Sequence, residues 1–170
     1  KFEGKDIDVG AFVADQTKLG KIFKGSVSPK LDVRGRGLAA GDFAGSAEGP
    51  AEMRFKSLQL DTLDLLGPIG DALKKSNKVP GLKLTAVGGK GTTMDAFTAL
   101  TKFIGGKAKL QKPIETKTNA GKMTLEGAAG LEAGPDLDAV LDLSPETVAK
   151  MTGDKVKLKK AVPVPMKIGR

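Results

Sequence analysis

Two adjacent stretches decide how this chain folds: KMTLEGAAGLE at Lys122–Glu132, and DLDAVLDL at Asp136–Leu143. In the first, Met123, Leu125, Gly127, Ala129 and Leu131 take alternate positions, with Lys122, Thr124, Glu126 and Glu132 between them. In the second, Leu137, Ala139, Leu141 and Leu143 alternate with Asp136, Asp138 and Asp142. Successive side chains of a strand point to opposite faces, so a period of two makes each stretch a strand with one apolar face. The Gly134-Pro135 pair between them reads as a turn.

The same pattern extends towards the C-terminus. Val156 and Leu158 alternate with Lys155, Lys157 and Lys159, and Val162, Val164, Met166 and Ile168 alternate with Pro163, Pro165, Lys167 and Gly169. Both read as strands, the second as an edge strand, because proline cannot donate to a central ladder. The lysine stripe at 155–159 is expected to oppose the Asp136, Asp138 and Asp142 row on a neighbouring strand.

Towards the N-terminus the pattern loosens. Leu31 and Val33 alternate with Lys30, Asp32 and Arg34 before the chain runs into Gly35, Gly37 and Gly41. Met53 and Phe55 alternate with Arg54 and Lys56, and the phase then slips to Leu58 and Leu60. A slip of one residue would turn the apolar set outward, so a bulge is expected near Ser57. Leu82 with Leu84, and Leu110 with Ile114 and Thr116, read as further short strands.

Helical spacing is confined to three places. Leu63, Leu66, Ile69 and Leu73 follow Asp61 as an N-cap, with Pro68 kinking or restarting the run. Phe12, Leu19, Ile22 and Phe23 suggest a short amphipathic helix, and Pro145–Met151 one or two turns more. A weak internal echo links 35–43 with 127–137, which would suggest two stacked β units.

Composition narrows the chemistry. The 170 residues hold no Cys, His, Trp or Tyr, and the aromatic share of 4% is all Phe. Without His or Cys the commonest general base, thiolate nucleophile and metal ligands are missing. Gly88–Thr93 has the look of a phosphate loop, but Leu84 stands where its first glycine belongs. The aspartate row diverges along an extended strand and does not converge on one ion. Neither catalysis nor a cofactor or metal is therefore expected. The net charge of +8 favours anionic partners. Nucleic acid is not expected among them, because the basic residues are not interleaved with exposed aromatics.

The order of the segments LDVRGRGLAAGDFAGSAEGPAEMRFKSLQLDTLDLLGPIGDAL at 31–73, FTALTKFIGGKAKLQKPIETKTNAGKMTLEGAAGLEAGPDLDAVLDLS at 97–144 and VPVPMKIGR at 162–170 resembles the C-terminal region of the AsmA-like family of bacterial envelope proteins. Ala129 replaces the second glycine of the Leu-x-Gly-x-Gly strand of that pattern. The resemblance implies a curved, groove-like sheet with an apolar interior, periplasmic localisation in a Gram-negative bacterium behind an inner-membrane anchor, and a non-catalytic role in outer-membrane lipid homeostasis or transport.

These readings give a β-dominated α+β chain: a curved antiparallel sheet forming a groove or half-sandwich, with one or two short helices packed at an end. Residues 1–170 are expected to form one domain, a fragment of a longer envelope protein, with halves 1–80 and 81–170 as the alternative division. Roughly eight strands about 4.8 Å apart would span about 40 Å, enough for one lipid and too short to bridge a periplasm. The lipid-facing or core apolar face is expected at Leu31, Val33, Met53, Phe55, Leu110, Ile114, Met123, Leu125, Leu131, Leu137, Leu141, Leu143, Val156, Leu158, Val164, Met166 and Ile168. The expected partner is a phospholipid or other envelope lipid, with membrane association through parts outside this stretch. The alternative is a scaffold docking an envelope assembly partner through an exposed edge strand.

Overall fold

The computed structural model describes residues 1–10, 23–37, 40–61, 65–67, 69–70, 91–130 and 134–169. In chain order the strands are β1 (Phe2–Glu3), β2 (Ile7–Asp8), β3 (Phe23–Leu31), β4 (Gly49–Leu60), β5 (Thr92–Met94), β6 (Phe97–Ile104), β7 (Lys107–Leu110), β8 (Ile114–Lys117), β9 (Gly121–Gly130), β10 (Gly134–Leu143) and β11 (Val162–Gly169). Among the described residues the helices with complete bounds are α1 (Ala40–Gly45) and α2 (Pro145–Met151). All the strands belong to one antiparallel sheet that does not close into a barrel. Its order is β1-β3-β4-β6-β7-β9-β10-β11, with β2 on β3, β5 on β4 and β8 on β9. Strands on both sides of residue 80 share it, because β4 pairs with β5 and β6.

The two deciding stretches form β9 and β10, in a register that sets Met123 opposite Leu141 and Leu125 opposite Ala139. β11 covers the far side of β10 and ends the sheet, with Leu141 opposite Val164 and Leu137 opposite Ile168. Pro163 and Pro165 are two residues apart and so share one edge of the strand; neither can donate, which suits an edge. At the start of β9, Gly121 has φ +151°, and a Cβ there would run into the carbonyl of Asp142. Only glycine allows β9 and β10 to approach so closely.

Prolines also decide where strands break. β7 and β8 both pair with β9, and Gln111–Pro113 separates them. The single strand expected through Leu110, Ile114 and Thr116 is therefore two, since Pro113 cannot join a ladder. On β3, the Pro29 carbonyl accepts from the Gly4 amide at 2.9 Å, so its missing N–H faces the outer strand. The outer strand accordingly splits there into β1 and β2. Asp6, at φ 51° between them, instead donates its amide to the Ser28 hydroxyl at 3.0 Å.

Several expectations need correction. The strand placed around Leu31 and Val33 runs earlier, from Phe23 to Leu31, so Phe23 belongs to a strand and not to a helix. Phe23, Gly25, Val27, Pro29 and Leu31 do alternate with polar residues, but glycine and proline on the inner face hide the period. Val156 and Leu158 are not in a strand: they lie in the irregular connection between α2 and β11, outside any ladder. Helix α2 turns the chain away from β10, and pairing resumes only at Val162 opposite Leu143. The Asp row therefore faces other lysines. Lys167 Nζ sits 3.5 Å from Asp138, and Asp142 lies opposite Lys122. The echo between 35–43 and 127–137 has no structural counterpart, for the first copy is an irregular segment leading into α1 and the second a strand pair. Leu131, the helix through Phe12, Leu19 and Ile22, the Leu82–Leu84 strand, and Leu63, Pro68 and Leu73 lie outside the described residues.

Two helical segments cover one end of the inner face. α2 begins where expected: Ser144 caps it, accepting from the Thr147 amide, and Pro145 occupies its first turn. Thr147 then donates to the Ala120 carbonyl at 3.1 Å, fastening α2 over the start of β9. Leu66, Gly67, Ile69 and Gly70 are helical too, and a Cβ on Gly70 would lie 3.8 Å from the Met151 methyl. Leu65, Leu66, Ile69 and Met151 are buried with Ala120, Met123, Leu141 and Leu143 in the core.

At this end Lys24 Nζ meets the Asp61 carboxylate at 2.6 Å and ties the start of β3 to the end of β4. The Lys24 hydrogen bond holds the Asp61 carboxyl below the usual carboxylate range, helped by Gln59. A carboxyl depressed in the folded state adds stability above its unfolded pKa, about 3.9, and loses it as pH falls through the folded value. Asp61→Asn should therefore lower Tm slightly at pH 7, and the gap to wild type should narrow at an acid pH well below the unfolded value. Thermal melts followed by circular dichroism at both pH values test this; an undiminished gap in acid would assign the loss to packing.

Candidate functional site

The inner face of the sheet forms a trough of about 470 Å³. Its floor and walls come from β4 (Met53, Phe55, Leu58, Leu60), β5 and β6 (Met94, Phe97, Ala99, Thr101), β7 and β8 (Ala108, Leu110, Ile114), β9 (Met123, Leu125, Ala129), β10 (Pro135, Leu137) and β11 (Ile168). A sheet reaches round a shared cavity in this way only if it is curved, and interrupted strands and bulges supply curvature. The expected bulge is present. Ser26 pairs with Ser57 and Val27 with Phe55, leaving Lys56 without an opposite residue. That extra residue resets the phase, so Leu58 and Leu60 face the trough along with Met53 and Phe55.

Chemically the trough is almost pure hydrocarbon. Among the described residues Thr101 is the one polar side chain in its lining, and its hydroxyl donates to the Ala51 carbonyl at 3.4 Å. Phe55 and Phe97 stack with ring centroids 4.6 Å apart, forming one flat patch of wall. Among the described residues no Asp, Glu, Lys or Arg lines the cavity. Among the described residues, no three metal-ligating side chains come together.

The charges lie on the outer face. Lys122 contacts Glu115 at 2.6 Å, and that hydrogen bond raises the Lys122 pKa above its usual value. The trough is closed at one end and open at the other. Leu58, Met94 and Met123 are buried at the end covered by the helical segments, whereas Ala129 and Pro135, near the β9–β10 turn, are exposed.

Of the residues expected on the apolar face, Met53, Phe55, Leu110, Ile114, Met123, Leu125, Leu137 and Ile168 line the trough. Leu141 and Leu143 are buried in the core, and Val164 and Met166 are half-buried against it. Leu31 lies opposite Ala51 on the inner face but outside the trough, and Val33 lies beyond the end of β3. Val156 and Leu158 are half-buried in the α2–β11 connection. The expectation missed Leu58, Leu60, Met94, Phe97, Ala99, Thr101, Ala108, Ala129 and Pro135. On β6 both faces carry apolar residues, Leu100 and Ile104 outside against Phe97 and Ala99 inside, so no period of two stands out. For β4 the signal was available, since Leu58 and Leu60 follow directly from the phase slip.

No protein-family model matches this chain, and neither the curated proteins nor the solved structures contain a significant match to it.

Proposed function

We propose that this chain is a non-catalytic lipid-binding or lipid-transfer module whose open apolar trough receives acyl chains. The observation that carries the reading is the trough lining: continuous hydrocarbon over six ranks of strands, with the charged residues kept to the outer face. A volume of about 470 Å³ falls within the range of small-molecule pockets, roughly 300–1,000 Å³. Full burial of a 16-carbon chain at about 0.8 kcal/mol per CH₂ would give a ceiling of about 13 kcal/mol. A half-open trough captures only part of that, which suits a carrier that must also release its cargo. The resemblance to AsmA-like proteins supports the same reading and adds a periplasmic setting in outer-membrane lipid homeostasis, with an anchor outside this stretch. No helix among the described residues is long and apolar enough to cross a membrane.

The scaffold reading places a protein partner on an exposed edge strand. Pro163 and Pro165 remove two donors from β11, which works against strand addition at that edge.

Native mass spectrometry of the purified protein, followed by solvent extraction, tests the proposal. The expected result is a co-purified lipid that is lost in Leu137→Glu, a half-buried wall position, and kept in Thr124→Lys on the outer face. A folded, lipid-free wild type that takes up no added phospholipid would overturn it in favour of the scaffold.

A further inference from the structure

We infer that the connection between α2 and β11 is a docking surface for anionic lipid headgroups at a membrane. Thr152 is buried at the end of α2, and its hydroxyl accepts the Val156 amide at 3.2 Å, which anchors the start of the connection. From there Val156 and Leu158 are half-buried, while Lys155, Lys157, Lys159 and Lys160 are all exposed. The alternation holds the apolar side chains inward and projects the ammonium groups outward, although no strand among the described residues pairs with the segment. None of these four lysines makes an ion pair among the described residues. The neighbouring carboxylates in 145–161 are Glu146 and Asp154, and Glu146 is already engaged: its own backbone amide and the Ser144 hydroxyl hold its pKa down, with Lys150 adding to the effect.

A run of exposed cations on a segment anchored at Thr152 matches a negatively charged surface. Val162, 40% exposed, adds an apolar contact at its end. A nucleic-acid site would need aromatic platforms for stacking, and no Phe lies between Phe103 and the C-terminus. The inference stands on charge and position, independently of what the trough holds.

Vesicle co-sedimentation tests it, using phosphatidylcholine vesicles with and without about one third phosphatidylglycerol. Each lysine near an anionic surface contributes roughly fivefold in affinity at low ionic strength, so Lys155, Lys157 and Lys159 together should contribute about a hundredfold. The full chain should bind only the phosphatidylglycerol vesicles, and more weakly as salt rises. Replacing those three lysines by Gln should remove the binding, whereas replacing them by Arg should preserve it. The triple change Lys102, Lys107 and Lys109→Gln, on the exposed β6–β7 hairpin, removes the same charge elsewhere and should leave binding intact. Equal losses from the two Gln triples would overturn the inference, as would absence of binding or a preference for a single-stranded polynucleotide at matched salt. A strap variant that loses vesicles but keeps its co-purified lipid separates this surface from the trough.

Discussion

Leu141→Glu should leave little folded protein at 25 °C. Leu141 is 0% exposed, opposite Met123 on β9 and Val164 on β11. Truncation there to Ala would by itself cost about 2–5 kcal/mol. A buried unpaired carboxylate adds several kcal/mol more, a total comparable to the whole stability of a domain, about 5–15 kcal/mol. Val140, the next residue, points outward and is 39% exposed, so Val140→Lys should change stability by less than about 1 kcal/mol. Urea unfolding of the two variants compares the faces of one strand. Comparable damage from both would contradict a sheet with a single buried face.

Ala129→Trp should abolish lipid retention while leaving the fold intact. Ala129 lines the trough yet is exposed, at the open end beside Pro135. A large ring there meets solvent space instead of packed core, so the stability change should stay within about 1 kcal/mol. The same ring fills the mouth through which an acyl chain would enter. Thermal melts and native mass spectrometry on the same preparation measure the two effects. A variant that keeps its full lipid load would show that cargo does not enter by this end.

How much of this was legible depended on how cleanly each strand separates its faces. β9, β10 and β11 were readable because Met123, Leu125, Leu137, Leu141, Leu143, Val164, Met166 and Ile168 mark the inner face against Lys122, Glu126, Asp136, Asp138, Asp142, Pro163, Pro165 and Lys167 outside. The bulge in β4 was readable too, since a phase slip between Phe55 and Leu58 has one economical explanation. β3 was misplaced because Gly25 and Pro29 sit where apolar residues would have marked its inner face. β6 carries apolar residues on both faces and gave no usable alternation.

The Val156–Leu158 error has a different origin. Its alternation is real and its exposure pattern follows it, but alternation reports which side is buried and not whether a neighbour is hydrogen-bonded. The partner assigned to it was taken by β11, which follows β10 directly in register. Local pattern therefore mistook an anchored strap for a strand.

Local residue chemistry was enough for the strand-dominated class, the inner faces of the last three strands, the edge position of the double-proline strand and the extent of α2. Each of these follows from residue chemistry within a window of about ten residues: side-chain period, a missing N–H, or a cap. Long-range pairing settled the rest: eleven strands among the described residues share one open sheet, it curves round a common trough, and helical segments cover one end and leave the other open. Those properties depend on which distant strands pair and in what register, and pairing is a choice among competing long-range contacts that no local pattern encodes.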